Sequence, residues 1–555
     1  METEMNLISN AREIAMKATT IAENFLIAGA YLYLREKGLI EFQDQALDAV
    51  AIEIRDKNPQ KAIDEYNAYL GGLSLEDIQK MTRLVLYDDA LSKYTSCIPT
   101  GDSLSGLVIK LLGINGGDLI LDCGSGYGNF LINVCEYASK NQMVLMDAVG
   151  IELSPDAVEL SNMCMRILCI GKQLPKARQG NALNDNLGPY THAFVFPPLG
   201  LRPMGVDRVF GSMYEGIDFT GKNSMEWVFI DRVLKGNPHR AVAITTTKAL
   251  YNDADKEYRG CLIRNGLLEG VIELPVGAIA GIGIRTCLLV FSHGNESVKL
   301  VDGVALLNDK ERLTKPSALP IEEILRKYDE GKDIKTIQEA VECKNLVPSN
   351  ALLKAAKLKN AVKLSEVAKI FTGSQYTARN FEEALSKERT GWRFLTSGDI
   401  NDGCVNWKSL PCIRCKDDKF AKFAVQKGDV IVTSKSSKVK TVVVDIEPED
   451  KILVTGGMII VRPDLAKIDP TFLKMYLDSP LGQLTLKSIQ KGTIIITINA
   501  KDLAGIDVPG VSLKRQAEIG TLYNEKLSTI LAYKREIAKM ESALSNLYLD
   551  ELGGE

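Results

Sequence analysis

The residues best suited to chemistry form one run, Asp118-Leu-Ile-Leu-Asp122-Cys-Gly124-Ser-Gly126-Tyr-Gly128-Asn-Phe130-Leu131. The pattern predicts a buried strand, a glycine-rich turn and the start of a helix. Glycines let a backbone approach a ligand closely, and a helix N-terminus offers unpaired N–H groups, so the run suits a nucleotide-type cofactor. About 28 residues beyond Gly124, Gly150-Ile151-Glu152 ends a second predicted strand. That places a carboxylate where a doubly wound fold accepts hydrogen bonds from ribose hydroxyls. Asp147 is the alternative acid. A third turn, Gln179-Gly180-Asn181-Ala182-Leu183, stands at the spacing of an adenine-edge contact, through Asn181 or Asp185. Asp122, Gly124, Gly126, Gly128, Phe130, Glu152 and Asn181 are therefore the cofactor-binding candidates. A second segment, Phe194-Val-Phe196-Pro197-Pro198-Leu199-Gly200, follows another strand-like run. Its prolines shape a loop, yet neither Phe196 nor Leu199 carries a hydrogen-bonding side chain.

These segments need a scaffold. From about 104 to 300, short apolar runs alternate with helical stretches: 119–121, 144–145, 148–151, 193–195, 241–244, 271–274 and 287–291. Such alternation predicts a doubly wound α/β sheet. Residues 1–95 carry apolar residues at helical spacing and predict a helical N-terminal domain, followed by a 96–345 domain holding the candidate residues. Residues 305–360 read as charged, helical and connective. After Leu364 the texture shifts to Gly-Asp turns and β-branched runs, which predict a compact α+β or mostly β module over 360–512. From 513 to 552, Ile530, Tyr533, Ile537, Met540, Leu544 and Leu547 alternate spacings of three and four, the stripe of a long helix or coiled coil.

Composition narrows the class. Apolar content of 45% and charged content of 25% are those of a globular protein, and no apolar run reaches membrane-spanning length. Eleven cysteines scattered over 555 residues predict reduced thiols and a cytoplasmic setting rather than a disulfide framework. Cys404, Cys412 and Cys415 lack a fourth ligand nearby, so no metal site is expected. The net charge of −4 excludes a general polyanion binder. Residues 361–512, however, hold 22 Lys and Arg against 18 Asp and Glu, leaving the remainder of the chain at −8. Nucleic-acid contact is therefore expected in the C-terminal half.

Residues 95–300 resemble the methylation subunit of type I restriction–modification systems, an S-adenosylmethionine-dependent adenine-N6 DNA methyltransferase family. Asp122, Gly126, Gly128, Phe130 and Leu131 match its glycine loop, with Cys123 in place of Pro. Gly150-Ile-Glu152, Tyr258-Arg259 through Leu262, Leu268 through Pro275 and Thr286 through Phe291 match later motifs. The upstream Tyr-Thr-Pro element survives only as Ile98-Pro99, which adds Pro99 to the cofactor candidates. The resemblance implies a Rossmann-like methyltransferase domain, S-adenosylmethionine as cofactor and double-stranded DNA as partner. In that family an Asn side chain and a Pro carbonyl accept the adenine amino hydrogens, and an aromatic stacks on the flipped base. Phe196, Pro197, Pro198 and Leu199 stand at those positions, so the loop retains its shape and lacks its chemistry. The readings that follow are a non-catalytic or partner-dependent subunit, an active enzyme that uses either a relocated acceptor such as Asn184, Asn186 or Thr191 or a loop the sequence does not reveal, and a purely structural assembly subunit.

Residues 363–552 resemble a type I specificity subunit with one target-recognition domain. The resemblance rests on Leu364 through Gly373, Lys427-Gly-Asp-Val-Ile-Val-Thr433, Gly492 through Pro509 and Leu513-Lys-Arg-Gln516-Ala-Glu-Ile519. Lys435, Ser436, Lys438 and Lys440 form one group of DNA-contact candidates; Lys487, Gln490 and Lys491 form a second. Lysines supply phosphate affinity, and Ser and Gln can read base edges. Trp392, Arg393 and Trp407 are expected in the core. One recognition domain reads half of a bipartite site, so a homodimer or a pairing with another specificity chain through 513–552 is implied. An active methylation subunit and a restriction subunit are further partners that the resemblance suggests.

Overall fold

The computed structural model describes residues 2–41, 44–87, 100–201, 210–307, 312–352, 358, 360–374, 384–401, 403–415, 418–435, 439–491 and 497–552. Pro99, Ser436 and Lys438, and the 492–496 part of one recognition motif, lie outside the described residues. The chain forms two compact units, 1–352 and 353–555.

The first unit begins with five helices, α1 (Glu2–Ala15), α2 (Ala22–Glu36), α3 (Gln45–Asp56), α4 (Gln60–Gly71) and α5 (Leu75–Leu86). A nine-stranded sheet follows. Its strands are β1 (Leu119–Cys123), β2 (Asp147–Glu152), β3 (Lys176–Gln179), β4 (His192–Val195), β5 (Arg240–Thr246), β6 (Leu268–Leu274), β7 (Thr286–Phe291), β8 (Ser297–Asp302) and β9 (Ile334–Thr336). Their spatial order is β9-β8-β6-β7-β5-β4-β1-β2-β3. β3, β2, β1, β4 and β5 run parallel to their neighbours, whereas β7 inserts antiparallel between β5 and β6. The fold is thus a mixed α/β sheet with helices on both faces.

Alternation in the strands explains the two cores. In β5, Val242 and Ile244 face a cluster that also holds Phe25, Tyr31, Tyr66, Phe130 and Phe194, while Ala241 and Ala243 face one built on Trp227, Tyr258 and Phe291. The N-terminal helices accordingly share a core with one face of the sheet. All residues of β6 and β7 are buried, which explains the unbroken apolar run of β7; in β6 the buried Glu269 and Glu273 are paired with Arg240 and Arg285.

Two expectations are corrected here. Val144-Leu145 is not a strand: β2 starts at Asp147, and Val144 is 76% exposed in the preceding turn, its carbonyl accepting the Gly117 N–H at 2.8 Å. The apolar run Met143-Val144-Leu145-Met146 is too short for its period to distinguish strand from loop. Nor are residues 305–360 merely connective. They contain a helix, Ile321–Glu330, and β9, which pairs antiparallel with β8 and extends the sheet.

The second unit contains two four-stranded sheets, ordered 368–372, 458–463, 430–433, 441–443 and 385–386, 412–413, 392–395, 451–454, with a strand pair joining 361–363 to 507–509. Trp392 and Trp407 are buried, as expected. The 40-residue helix Leu513–Leu552 rests its first turns on the helix Pro470–Asp478. The Gln516 side chain accepts the Asp469 N–H at 2.7 Å, and Tyr523 donates to Asp478 at 2.9 Å. Among the described residues no helix is long and apolar enough to cross a membrane, and no cluster of His, Cys, Asp and Glu could hold a metal ion.

Candidate functional site

Because β1, β2, β4 and β5 are parallel, Cys123, Glu152, Val195 and Thr246 end at the same edge of the sheet. β1 lies between β2 and β4, so the chain leaves it in both directions and opens a crevice there. The glycine loop fills the floor of that crevice. Gly124, Gly126 and Gly128 have φ of 84°, 51° and 75°. At Gly124 a Cβ would also stand 2.9 Å from the Phe196 carbonyl oxygen, so glycine is required there by conformation and by contact. Gly128 caps the helix Asn129–Lys140 in a left-handed conformation.

Glu152 closes the loop from the next strand. Its Oε2 accepts the Gly126 N–H at 3.0 Å and its Oε1 accepts the Ser154 N–H at 2.9 Å. Both oxygens retain a further lone pair. Asp122 is buried beneath, and its carboxyl is pushed up to about 8, first by burial and then by the negative charge of Glu152. The Ser125 hydroxyl is buried in the same loop with no hydrogen-bond partner among the described residues. A buried carboxyl held off its usual range, an orphaned hydroxyl and a glycine cradle are what a polar, cationic cofactor tail would complete.

Asn181 is placed differently from expectation in one respect. Its side chain accepts the Leu183 N–H at 3.0 Å, and Asp185 accepts the Asn181 N–H at 2.6 Å, so both shape the third turn. An apolar residue that the sequence reading passed over stands nearby in sequence. Leu153, directly after Glu152, is 66% exposed at the crevice edge. Its signal was available, as an apolar side chain following the acid at a strand end.

The 196–200 loop lies against the glycine loop, with the Phe196 N–H donating to the Cys123 carbonyl at 3.3 Å. Phe196 does not project as an isolated ring. It lies edge-on to Phe194 at 6.4 Å, and Phe194 tilts against Phe130 at 4.5 Å. Phe196 and Leu199 are half-buried against this core, Pro197 is buried and Pro198 is exposed. Sequence reasoning missed the loop's anchor, Glu226. This wholly buried residue accepts the Gly200 N–H at 3.3 Å and the Thr246 hydroxyl at 2.9 Å through Oε1, while its Oε2 has no partner among the described residues. Thr191 stands at the opposite end of β4, donating to the Leu119 carbonyl at 3.2 Å, and so is removed from the loop as a substitute acceptor. Asn184 and Asn186 are exposed on the third turn.

In the second unit, two groups of lysines that are remote in sequence share one backbone platform. Lys491 and Thr497 exchange N–H···O bonds of 2.7 and 2.8 Å, Lys435 bridges to Thr497, and the Ile498 N–H reaches the Ser434 carbonyl at 2.8 Å. Lys435 and Lys487 are exposed, and Gln490 is half-buried. Lys491 pairs with Asp502 at 2.9 Å. Lys440 is exposed, and its Nζ donates to the carbonyls of Ile400 at 2.8 Å and Ser397 at 3.2 Å, which helps to hold a turn. Arg393 binds Asp450 at 2.8 Å and the carbonyls of Lys408 and Leu410.

Residues 94–366 match the N-6 DNA Methylase family. The specificity subunit of the Escherichia coli type I restriction enzyme EcoBI is 29% identical over 153 residues, 27% of this chain and 31% of that subunit. The chain thus spans about a third of the curated relative it matches. Among solved structures, the methyltransferase subunit of a type I restriction–modification system from Streptococcus thermophilus is similar at 16% identity. It covers 53% of this chain and 68% of its own length, with a TM-score of 0.45. The type IIG restriction endonuclease BpuSI is similar at 13% identity over 93% of this chain and 74% of its own, also with a TM-score of 0.45.

Proposed function

We propose that this chain, whose residues 94–366 belong to the N-6 DNA methylase family, is a DNA-recognising subunit of a type I-like restriction–modification or phage-defence system that binds S-adenosylmethionine without transferring its methyl group through the 196–199 loop. The domain reading that supports this is a helical segment over 1–95, a methyltransferase domain over 96–345, a target-recognition domain over 360–512 and a spacer helix over 513–552. The carrying observation is the contrast between two adjoining loops. The cofactor loop retains its glycines, acid and orphaned hydroxyl. The loop beside it has Phe196 packed toward Phe194, where amino-group chemistry needs an oxygen acceptor.

S-adenosylmethionine, when bound, supplies an activated methyl group on a sulfonium. Asp122 and the Ser125 hydroxyl, beside the glycine cradle, are suited to its charged amino-acid end, Glu152 to the ribose hydroxyls, and the 179–185 turn with Leu153 to the adenine. The second unit supplies phosphate and base contacts through Lys435, Lys487, Gln490 and Lys491. The exposed stripe of the 513–552 helix pairs with a second copy or another specificity chain. Labelled-methyl transfer to duplex DNA, run beside calorimetric titration of the cofactor, tests the reading. Binding without transfer is expected; transfer by the wild type that is abolished by Phe196→Ala refutes it.

An active adenine-N6 methyltransferase is the second reading, favoured by Glu226. Its Oε2, without a partner among the described residues, is an acceptor on the residue that holds this loop. Under this reading Glu226→Gln lowers turnover without lowering cofactor affinity.

A further inference from the structure

The helix Leu513–Leu552 is attached to its module mainly through polar contacts. Ile519 packs half-buried against the module's core, while the described side chains from Ser528 to Ala543 are all exposed. In the first turn, the Gln516 amide donates to the carbonyls of Val511 at 2.8 Å and Lys467 at 3.2 Å, beside the bond its side-chain oxygen accepts from Asp469. Two turns further on, Tyr523 reaches a single carboxylate, Asp478.

Asp478 joins three elements. Its Oδ2 accepts the Tyr523 hydroxyl at 2.9 Å and the ammonium of Lys474, from its own helix, and its Oδ1 accepts the Thr441 hydroxyl. Lys474 is only 5% exposed, and its Nζ stands 5.4 Å from the centre of the Tyr523 ring. Thr441 opens the strand 441–443, directly after Lys440, so one carboxylate holds both the long helix and the root of a segment that carries DNA-contact candidates. A buried ion pair adds little net stability, because desolvation offsets its attraction, yet its hydrogen bonds have a direction that apolar contact lacks. Direction matters because the helix is a lever. From Tyr523 to Met540 it runs about 26 Å at about 1.5 Å per residue. A tilt of about 20° at Tyr523 displaces Met540 by about 9 Å, one interaxial spacing of packed helices.

We propose that Asp478, with Lys474 and Tyr523, is a positioning junction that sets the angle at which the 513–552 helix leaves the recognition module, and so fixes the separation of the two modules in a paired molecule. This rests on the reading of that helix as a pairing surface and adds the residues that aim it.

The test uses the full chain with nitroxide labels on non-natural residues at the exposed positions Lys427 and Ala538, diluted with unlabelled chain so that pulsed dipolar spectroscopy reads the distance within one molecule. The wild type should give one narrow distance distribution. Lys474→Met with Asp478→Leu replaces the ion pair by apolar side chains of similar size, and should about double the width of that distribution while the melting temperature stays within a few degrees. Tyr523→Phe leaves both charges in place and should broaden it less. A broad wild-type distribution, or an unchanged width in the double variant, overturns the inference. Should the double variant fail to fold, an unchanged width in Tyr523→Phe overturns it in its place. A label at 427 alone, in undiluted chain, reads the separation of two modules. One narrow distance is expected there, and no intermolecular distance at all overturns the pairing reading, while the measurement within one molecule still decides the angle.

Discussion

Asp122 offers a prediction whose size follows from its surroundings. The residue is 2% exposed, and burial, reinforced by Glu152, holds its carboxyl at about 8. At pH 7 it is therefore about 90% protonated, and ionising it costs about 1.4 kcal/mol, a factor of ten. A cofactor carrying an ammonium and a sulfonium favours the ionised form, so binding should release a proton from a group that is neutral in the free protein. Apparent affinity should then rise about ninefold from pH 6 to 7 and about fivefold from pH 7 to 8, and level off above, with nearly one proton released at pH 6 and about half at pH 8. Titration calorimetry in buffers of different ionisation enthalpy measures both. Asp122→Asn should flatten the pH profile, and Glu152→Gln, which removes the second cause of the shift, should move its inflection to lower pH. The stability sign follows too. The folded value lies above the unfolded value of about 4, so the free protein's stabilisation by this group is complete below about pH 4 and lost as pH rises through 8. Asp122→Asn should consequently raise the melting temperature more at pH 9 than at pH 5. Cofactor affinity independent of pH from 6 to 9, with an enthalpy independent of buffer, would refute the reasoning.

Other perturbations probe the remaining parts. Gly124→Ala combines a positive φ with a 2.9 Å approach to the Phe196 carbonyl, and should cost about 1–3 kcal/mol in thermal or urea unfolding while weakening cofactor binding. Trp227 is wholly buried and donates to the Ala249 carbonyl at 3.1 Å, so Trp227→Ala should cost about 3–5 kcal/mol, read as loss of the first unit's unfolding transition at its usual temperature. The double variant Phe196→Asn with Leu199→Phe restores both an amide acceptor and a π face, and should gain methyl transfer that neither single change confers. Tyr533, Ile537 and Met540 are all more than half exposed on the 513–552 helix. Light scattering should therefore show a dimer that Ile537→Glu dissociates, and a wild-type monomer at all concentrations would remove the helix as a pairing surface.

What was legible in the sequence was local. Asp122 to Leu131 is a continuous strand, turn and helix start, so its glycines and their order announce the crevice before any tertiary contact is known. Glu152 is legible because the doubly wound fold returns its second strand beside the first at a regular spacing. Glu226 was not legible: it meets Gly200 across 26 residues, and a Glu in the first turn of a helix looks like ordinary dipole complementation. The Lys435 and Lys491 groups could be named but not joined, since the bonds that unite them run through the main chain of Thr497, whose pairing across more than sixty residues leaves no local pattern. Lys440 shows the converse, an exposed residue whose ammonium also helps to hold a turn.

The two loops of the crevice relate differently to the core, which would let side chains change at 196 and 199 without a change in the loop's shape. The glycine loop is constrained from below, by Asp122 and by the approach of the Phe196 carbonyl, so its residues answer to conformation as well as to ligand. The 196–199 loop is held from its ends, by the Phe196 N–H on Cys123 and by Glu226 on the Gly200 N–H. Neither anchor involves the side chain at 196 or 199. Those two side chains are therefore free of the backbone scaffold, and an apolar pair there gains contact with the Phe194 and Phe130 cluster. Substituting an amide at 196 gives up some of that packing, yet leaves the loop where a methyl acceptor would need it. The double variant should for this reason fold with a melting temperature only a few degrees below the wild type. A collapse of the fold would show that Phe196 and Leu199 hold the loop themselves, and that the anchors at Cys123 and Glu226 are insufficient.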